Sequence, residues 1–247
     1  MDNSFMKKIM ISSITATMLL STYIQTFAQC RLSPWENKKG IGLGVLNSLY
    51  GDQDRTVQWQ KVTNYTPLNT NELEYQNSSK QIKVVFNNHY TSHTFFQQKV
   101  DIFAILNYET TPCGKVQTHT YGGVTLHDGN QLASAKNIPT NIFLDGVQQK
   151  VKYDAVSTDK KMVTVQEIDY KARHYLIKTY NIYKHTNYSY TYGRIIFHMN
   201  NGQHFCYDLY YQGDGSSQSI LEMYKDNKTI DSREFHLDIE LSKTAIK

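Results

Sequence analysis

Cysteine is scarce in this sequence: Cys30, Cys113 and Cys206 are the only three in 247 residues. That excludes a disulfide-stapled scaffold, and a chain of this length can bury a core of its own. An odd number outside the cell leaves at least one thiol unpaired or joined to another molecule. Charge is also modest. A net charge of +4, with the lysines scattered and not gathered into a stripe, excludes a nucleic-acid partner. No HExxH, GxSxG or P-loop lysine occurs, so the chain is not read as an enzyme. Beyond the N-terminus no apolar run is long enough to span a bilayer, which excludes membrane insertion. Internal repeats and low-complexity segments are lacking as well.

What the sequence does have is aromatic and strand-forming residues. Its 19 Tyr and 10 Phe suit a β-rich globular protein. Residues 1–28 read as a secretory signal peptide. Lys7 and Lys8 form the charged region, residues 9–20 the apolar one, and Thr26-Phe27-Ala28 a cleavage site ending in a small residue. Met6 is a plausible true start. The mature chain is therefore expected to be secreted and extracellular.

Two halves follow. In residues 29–121, "IGLGVLNSLY" (41–50) has the apolar spacing of a short helix, while "QIKVVF" (81–86) and "KVDIFAILNY" (99–108) read as strands. Short strands with turns fit a small barrel. In residues 122–247, "NIFLDGVQQKVKY" reads as two strands about an Asp145-Gly146 turn. "KMVTV" is a strand running into a helix. Thr164 and Glu167 have capping-box spacing, and Ile168, Ala172, Tyr175, Leu176 and Thr179 supply the helix's buried face. Asp169 and Arg173, four apart, are placed to pair across one helical turn. A sheet packed on one central helix makes this half an α+β sandwich.

The last strand, "FHLDIELS" (235–242), alternates cleanly. Phe235, Leu237, Ile239 and Leu241 point inward, so His236 and Asp238 share the wet face. Imidazole nitrogen and carboxylate oxygen two residues apart on one strand face suit Zn²⁺. The hairpin "RIIFHMNNGQHFCYDLYY" offers a third ligand. Its apolar residues Ile195, Phe197, Phe205 and Tyr207 share a core face only if the loop is Asn200-Asn201-Gly202 and Met199 pairs with Gln203. His198 and His204 then stand opposite each other on the non-core face, and either could complete the site. Cys206 follows on that same face beside His204 and Asp208. A thiol on an exposed strand is read as incidental.

Two stretches resemble signatures of the staphylococcal and streptococcal pyrogenic toxin superantigens. One is "YGGVT" (121–125). The other is long and uses Lys160, Val163, Ile168, Asp169, Arg173, Leu176, Ile182 and Tyr183. The closing "YKDNKTIDSREFHLDIEL" is similar to the C-termini of the zinc-binding, enterotoxin-like branch. The resemblance implies an α+β fold, with an N-terminal OB-type β-barrel and a C-terminal β-grasp domain around a central helix. It implies zinc held by His236, Asp238 and a hairpin histidine. His198 matches the enterotoxin position, and His204 is the alternative third or a fourth ligand. It further implies a superantigen that cross-links MHC class II, through zinc and the class II β-chain, to the variable region of the T-cell receptor β-chain. Segment 158–169, from Thr158 to Asp169, resembles one implicated in contacting a T-cell costimulatory receptor, although folding alone accounts for the same residues. The chain is expected to be a monomer or a zinc-dependent dimer. Cys113 stands where relatives close a disulfide loop, and Cys30 could be its partner. The alternative reading is a superantigen-like immune-evasion protein with other host ligands. A zinc hydrolase would need a general base beside these ligands, and none is recognisable.

Overall fold

A computed structural model describes residues 42–64, 71–78, 80–110, 113–114, 116–184, 190–210 and 216–243. The expected signal peptide and Cys30 lie outside the described residues. None of the described helices is long and apolar enough to cross a membrane.

The first half opens with helix α1 (Leu43–Gly51). Strands β1 (Thr56–Val62), β4 (Val100–Ile105) and β7 (Val124–Leu126) form one sheet, in the order β1-β4-β7. Strands β2 (Glu72–Asn77), β3 (Lys80–Val85), β5 (Asn107–Thr110) and β6 (Val116–Tyr121) form a second, in the order β2-β3-β6-β5. A short helix α2 (His89–Phe95) links β3 to β4. Among the described residues the OB-type half is thus two sheets without a hydrogen-bonded ring around them. The strand expected over 99–108 breaks at Leu106, whose backbone N–H turns away to the Arg55 carbonyl at 2.7 Å. The chain passes there from one sheet to the other.

Every residue of β4 is buried. The reason is its place between two cores. Val100, Ile102 and Ala104 pack in the barrel with Trp59, Tyr75 and Phe86, whereas Phe103 and Ile105 pack on the other side with the central helix. A strand covered on both faces loses the polar alternation of a surface strand.

The second half contains β8 (Gln131–Asn137), β9 (Thr140–Leu144), β10 (Val147–Gln149), β11 (Ser157–Lys160) and β12 (Met162–Thr164). The central helix α3 (Val165–Tyr180), β13 (Tyr192–Met199), β14 (His204–Asp208), α4 (Ser217–Leu221), β15 (Thr229–Asp231) and β16 (Phe235–Ser242) complete it. A mixed five-stranded sheet, ordered β10-β9-β16-β13-β14, packs Ile195, Phe197, Leu237 and Ile239 against α3. Only the β16–β9 pairing is parallel within it.

The start of α3 is as expected on one side of its cap and different on the other. Thr164 Oγ1 accepts the Glu167 backbone N–H at 3.3 Å. The Glu167 side chain does not return the bond. It is buried and accepts from Lys160 Nζ at 2.8 Å, Lys171 Nζ at 2.6 Å and Thr158 Oγ1 at 3.2 Å. Burial pushes this carboxyl up, but Lys171 and Lys160 outweigh it and hold it below its usual range. Ile168, Ala172 and Leu176 are buried as expected and Tyr175 is half-buried, yet Thr179 is exposed. The helix is covered from both halves of the molecule over its first turns. The buried set there takes in Asp169 and Arg173, and only the last turn emerges.

Gly122 and Gly123 have φ of +62° and +85° where the chain leaves β6. A Cβ on Gly123 would stand 2.2 Å from both the Phe103 carbonyl oxygen and Gln166 Oε1. This is why "YGGVT" cannot take other residues at its centre. Gly123→Ala combines a left-handed φ with a backbone clash and is expected to cost more than about 2 kcal/mol. A urea unfolding midpoint within error of the unsubstituted protein would contradict this.

Candidate metal centre

The hairpin register follows the sequence reading. His198 pairs with His204, and Met199 N donates to Gln203 O at 2.8 Å. Gly202 takes φ +84° in the three-residue loop, with its N–H on the Met199 carbonyl at 2.9 Å. Phe197 and Phe205 stack at 4.8 Å on the core side, so the odd residues are locked inward and the histidines outward.

The decisive neighbour of His198 is on its other side. Strand β16 runs antiparallel to β13, with His198 opposite His236 and Ile196 opposite Asp238. The two imidazoles lie nearly parallel, 10° apart with centroids at 4.8 Å. His198 Nε2 is 3.2 Å from Asp238 Oδ2. One ligand atom from each of His198, His236 and Asp238 lies within 4.8 Å of the others. All three side chains are half-buried. His204 is exposed and stands to one side, its ring 6.2 Å from that of His198, outside this group of three.

The set suits a zinc ion on two grounds. His198 Nε2 is shielded from solvent yet makes no hydrogen bond, because its short approach to Asp238 lacks hydrogen-bond geometry. A buried ring nitrogen without a partner is costly, and a cation in common with the carboxylate would satisfy both. Two ligands on one tetrahedral zinc stand about 3.4 Å apart, which the His198–Asp238 separation already matches. Farther along this sheet face, Arg194 Nε and Glu240 Oε2 form an ion pair at 2.5 Å, so Glu240 is engaged elsewhere.

The segment expected to contact a costimulatory receptor is more diffuse. In segment 158–169 only Asp159, Lys161 and Met162 are exposed, and Thr158, Lys160 and residues 163–169 are buried. Cys113 is exposed, and Cys206 is half-buried on the β14 edge.

Comparison with known proteins agrees with this architecture. A family model described as the staphylococcal/streptococcal toxin OB-fold domain matches residues 50–126, and one described as the β-grasp domain of the same toxins matches residues 138–241. Exotoxin type H of Streptococcus pyogenes is 32% identical over 198 residues, covering 80% of this chain and 82% of that protein. Enterotoxin type A of Staphylococcus aureus (strain Newman) is 32% identical over 224 residues, covering 82% of each. Among solved structures, the zinc-bound superantigen SPE-H of Streptococcus pyogenes superposes with a TM-score of 0.78 at 30% identity, over 83% of this chain and 100% of that one. Staphylococcal enterotoxin type A co-crystallised with zinc gives 0.76 at 31% identity, over 85% and 99%.

Proposed function

This chain belongs to the staphylococcal and streptococcal toxin family, and from that premise we propose that it is a secreted superantigen whose β-grasp sheet carries a zinc-dependent contact to MHC class II. The observation that carries the reading is the convergence of His198, His236 and Asp238 on one outward sheet face. These three hold the ion, and His204 is the flanking residue that could join them. When bound, zinc supplies a Lewis-acid position that a histidine of the class II β-chain can fill. Its fourth site would otherwise go to water.

The remaining work is done by the protein's shape, without bond-making. Rigid core packing under β13 and β16 keeps the two histidines in register, so the ligand set is organised before the partner arrives. The contact to the variable region of the T-cell receptor β-chain is assigned to a separate surface that includes α1. Linking two cells through two modest contacts gains strength from multivalency. The narrow exposed strip at Asp159, Lys161 and Met162 is the part of segment 158–169 open to a costimulatory receptor.

T-cell proliferation with purified protein tests the reading. Strong polyclonal division is expected with class II-positive presenting cells and none with class II-negative ones. No proliferation in either case, from folded zinc-loaded protein, would instead favour an immune-evasion protein of the same fold with other host ligands.

A further inference from the structure

We propose that Asn141 is a positioning residue of the zinc site, oriented by Gln148, and that it makes Asp238 a ligand through a single oxygen. The inference rests on the zinc reading above and concerns how the carboxylate is presented.

Strand β9 lies parallel to β16 with Asn141 in register with Asp238. Asn141 Nδ2 donates to Asp238 Oδ1 at 2.8 Å. That leaves Oδ2 as the oxygen facing His198 Nε2, at 3.2 Å. The asparagine amide is itself held. The β9–β10 turn is made by Asp145 and Gly146, with φ of 47° and 81°, and sets Gln148 opposite Phe143. Gln148 is thereby diagonal to Asn141 on the outward face, and its Nε2 donates to Asn141 Oδ1 at 3.2 Å. Only one polarity satisfies this chain. With the Asn141 amide reversed, its oxygen would face the Asp238 carboxylate, and that contact would be repulsive whichever way the Gln148 amide turns.

The consequence for the metal is specific. A carboxylate free to rotate can offer both oxygens to one ion. One whose Oδ1 is occupied offers Oδ2 alone, which conserves the open coordination position. Hydrogen bonds of this kind to a ligating group orient it and tune the ion, and their loss typically weakens metal binding by about 10–100-fold.

The test is zinc affinity by competition with a chromophoric chelator, paired with thermal unfolding of the metal-free protein. Asn141→Leu is expected to weaken zinc binding by about tenfold or more, with the metal-free midpoint little changed. Gln148→Ala should weaken it less, because it acts at one further remove and its bond is exposed. In an Asp238→Asn background, titrated to millimolar zinc, Asn141→Leu should add no further loss. Equal zinc affinity in wild type and Asn141→Leu would overturn the proposal. So would the same loss from Asn141→Leu in the Asp238→Asn background, which would mean that Asn141 does not act through this carboxylate. If Asp238→Asn leaves zinc affinity at the wild-type value, the zinc site itself has been misassigned, and Asn141 falls with it.

Discussion

Zinc affinity is expected to fall by at least about a hundredfold, or roughly 3 kcal/mol, in the double variant His236→Ala/Asp238→Ala. Two of the three converging ligands are removed, and His198 alone cannot hold an ion against water. The fold should survive, since both side chains lie on the outward face of β16 while Phe235, Leu237, Ile239 and Leu241 carry its packing. Class II binding by this variant should fall to the level that the wild-type protein shows with a chelator, and added zinc should restore only the wild type. T-cell receptor binding should be unaffected by either treatment, because that contact is assigned to a different surface. The paired measurement separates the outcomes. Equal losses of class II and receptor binding would make zinc a folding element. No loss of either would return His236 and Asp238 to two solvated side chains on a strand.

A second large effect is expected inside the molecule, at Arg173. Its side chain is 1% exposed and reaches four groups. Nε donates to Asp169 Oδ2 at 2.7 Å, Nη1 to Tyr183 Oη at 2.8 Å and to the Leu209 carbonyl at 3.0 Å, and Nη2 to the Asp208 carbonyl at 2.7 Å. It therefore ties α3 to the end of β14. The Tyr224 hydroxyl also donates to Asp169 Oδ2, and the guanidinium lies 4.7 Å over the Tyr50 ring. Burial pushes the guanidinium pKa down, but Asp169 together with Tyr183, Tyr50 and Tyr224 outweighs it and holds the group charged. Burial likewise pushes the Tyr183 hydroxyl up to about 12, so it stays a neutral partner.

Arg173→Met would leave a fully buried carboxylate without its cation and take the guanidinium donor from the Asp208 carbonyl, while the Leu209 carbonyl would keep the Tyr183 hydroxyl at 2.7 Å. The expected loss is about 3–5 kcal/mol, a large part of the ~5–15 kcal/mol that stabilises a typical domain. Adding Asp169→Asn should recover part of the loss, because the stranded charge is then gone. Urea unfolding of both single variants and the double closes the cycle. An Arg173→Met midpoint shift worth less than about 1 kcal/mol would show that this network does not hold α3 to the hairpin.

Much of this was legible in the residues themselves. The alternation of "FHLDIELS" put His236 and Asp238 on one face, because a strand's period of two is local. The hairpin register was legible for a similar reason. Few loops join two strands closely, and only Asn200-Asn201-Gly202 kept both apolar sets on the core. The helix cap at Thr164 and the Asp169–Arg173 pair are likewise separations of a few residues, set by backbone geometry.

What sequence could not decide was which strands become neighbours. Periodicity tells a side chain its face but says nothing about the strand beside it. The insertion of β16 between β9 and β13 joins segments far apart in the chain, and it is fixed by burying Leu237 and Ile239 against α3. That choice set His198 against His236, left His204 at the edge and brought in Asn141 and Gln148, which carry no motif. The same dependence on long-range packing explains β4, which is buried along its whole length, Asp101 included, because it lies between two cores, and Glu167, whose carboxylate went to two lysines instead of its cap. Local geometry thus determined the faces and turns. Burial of the shared core decided which faces meet, and with that the convergence of His198, His236 and Asp238.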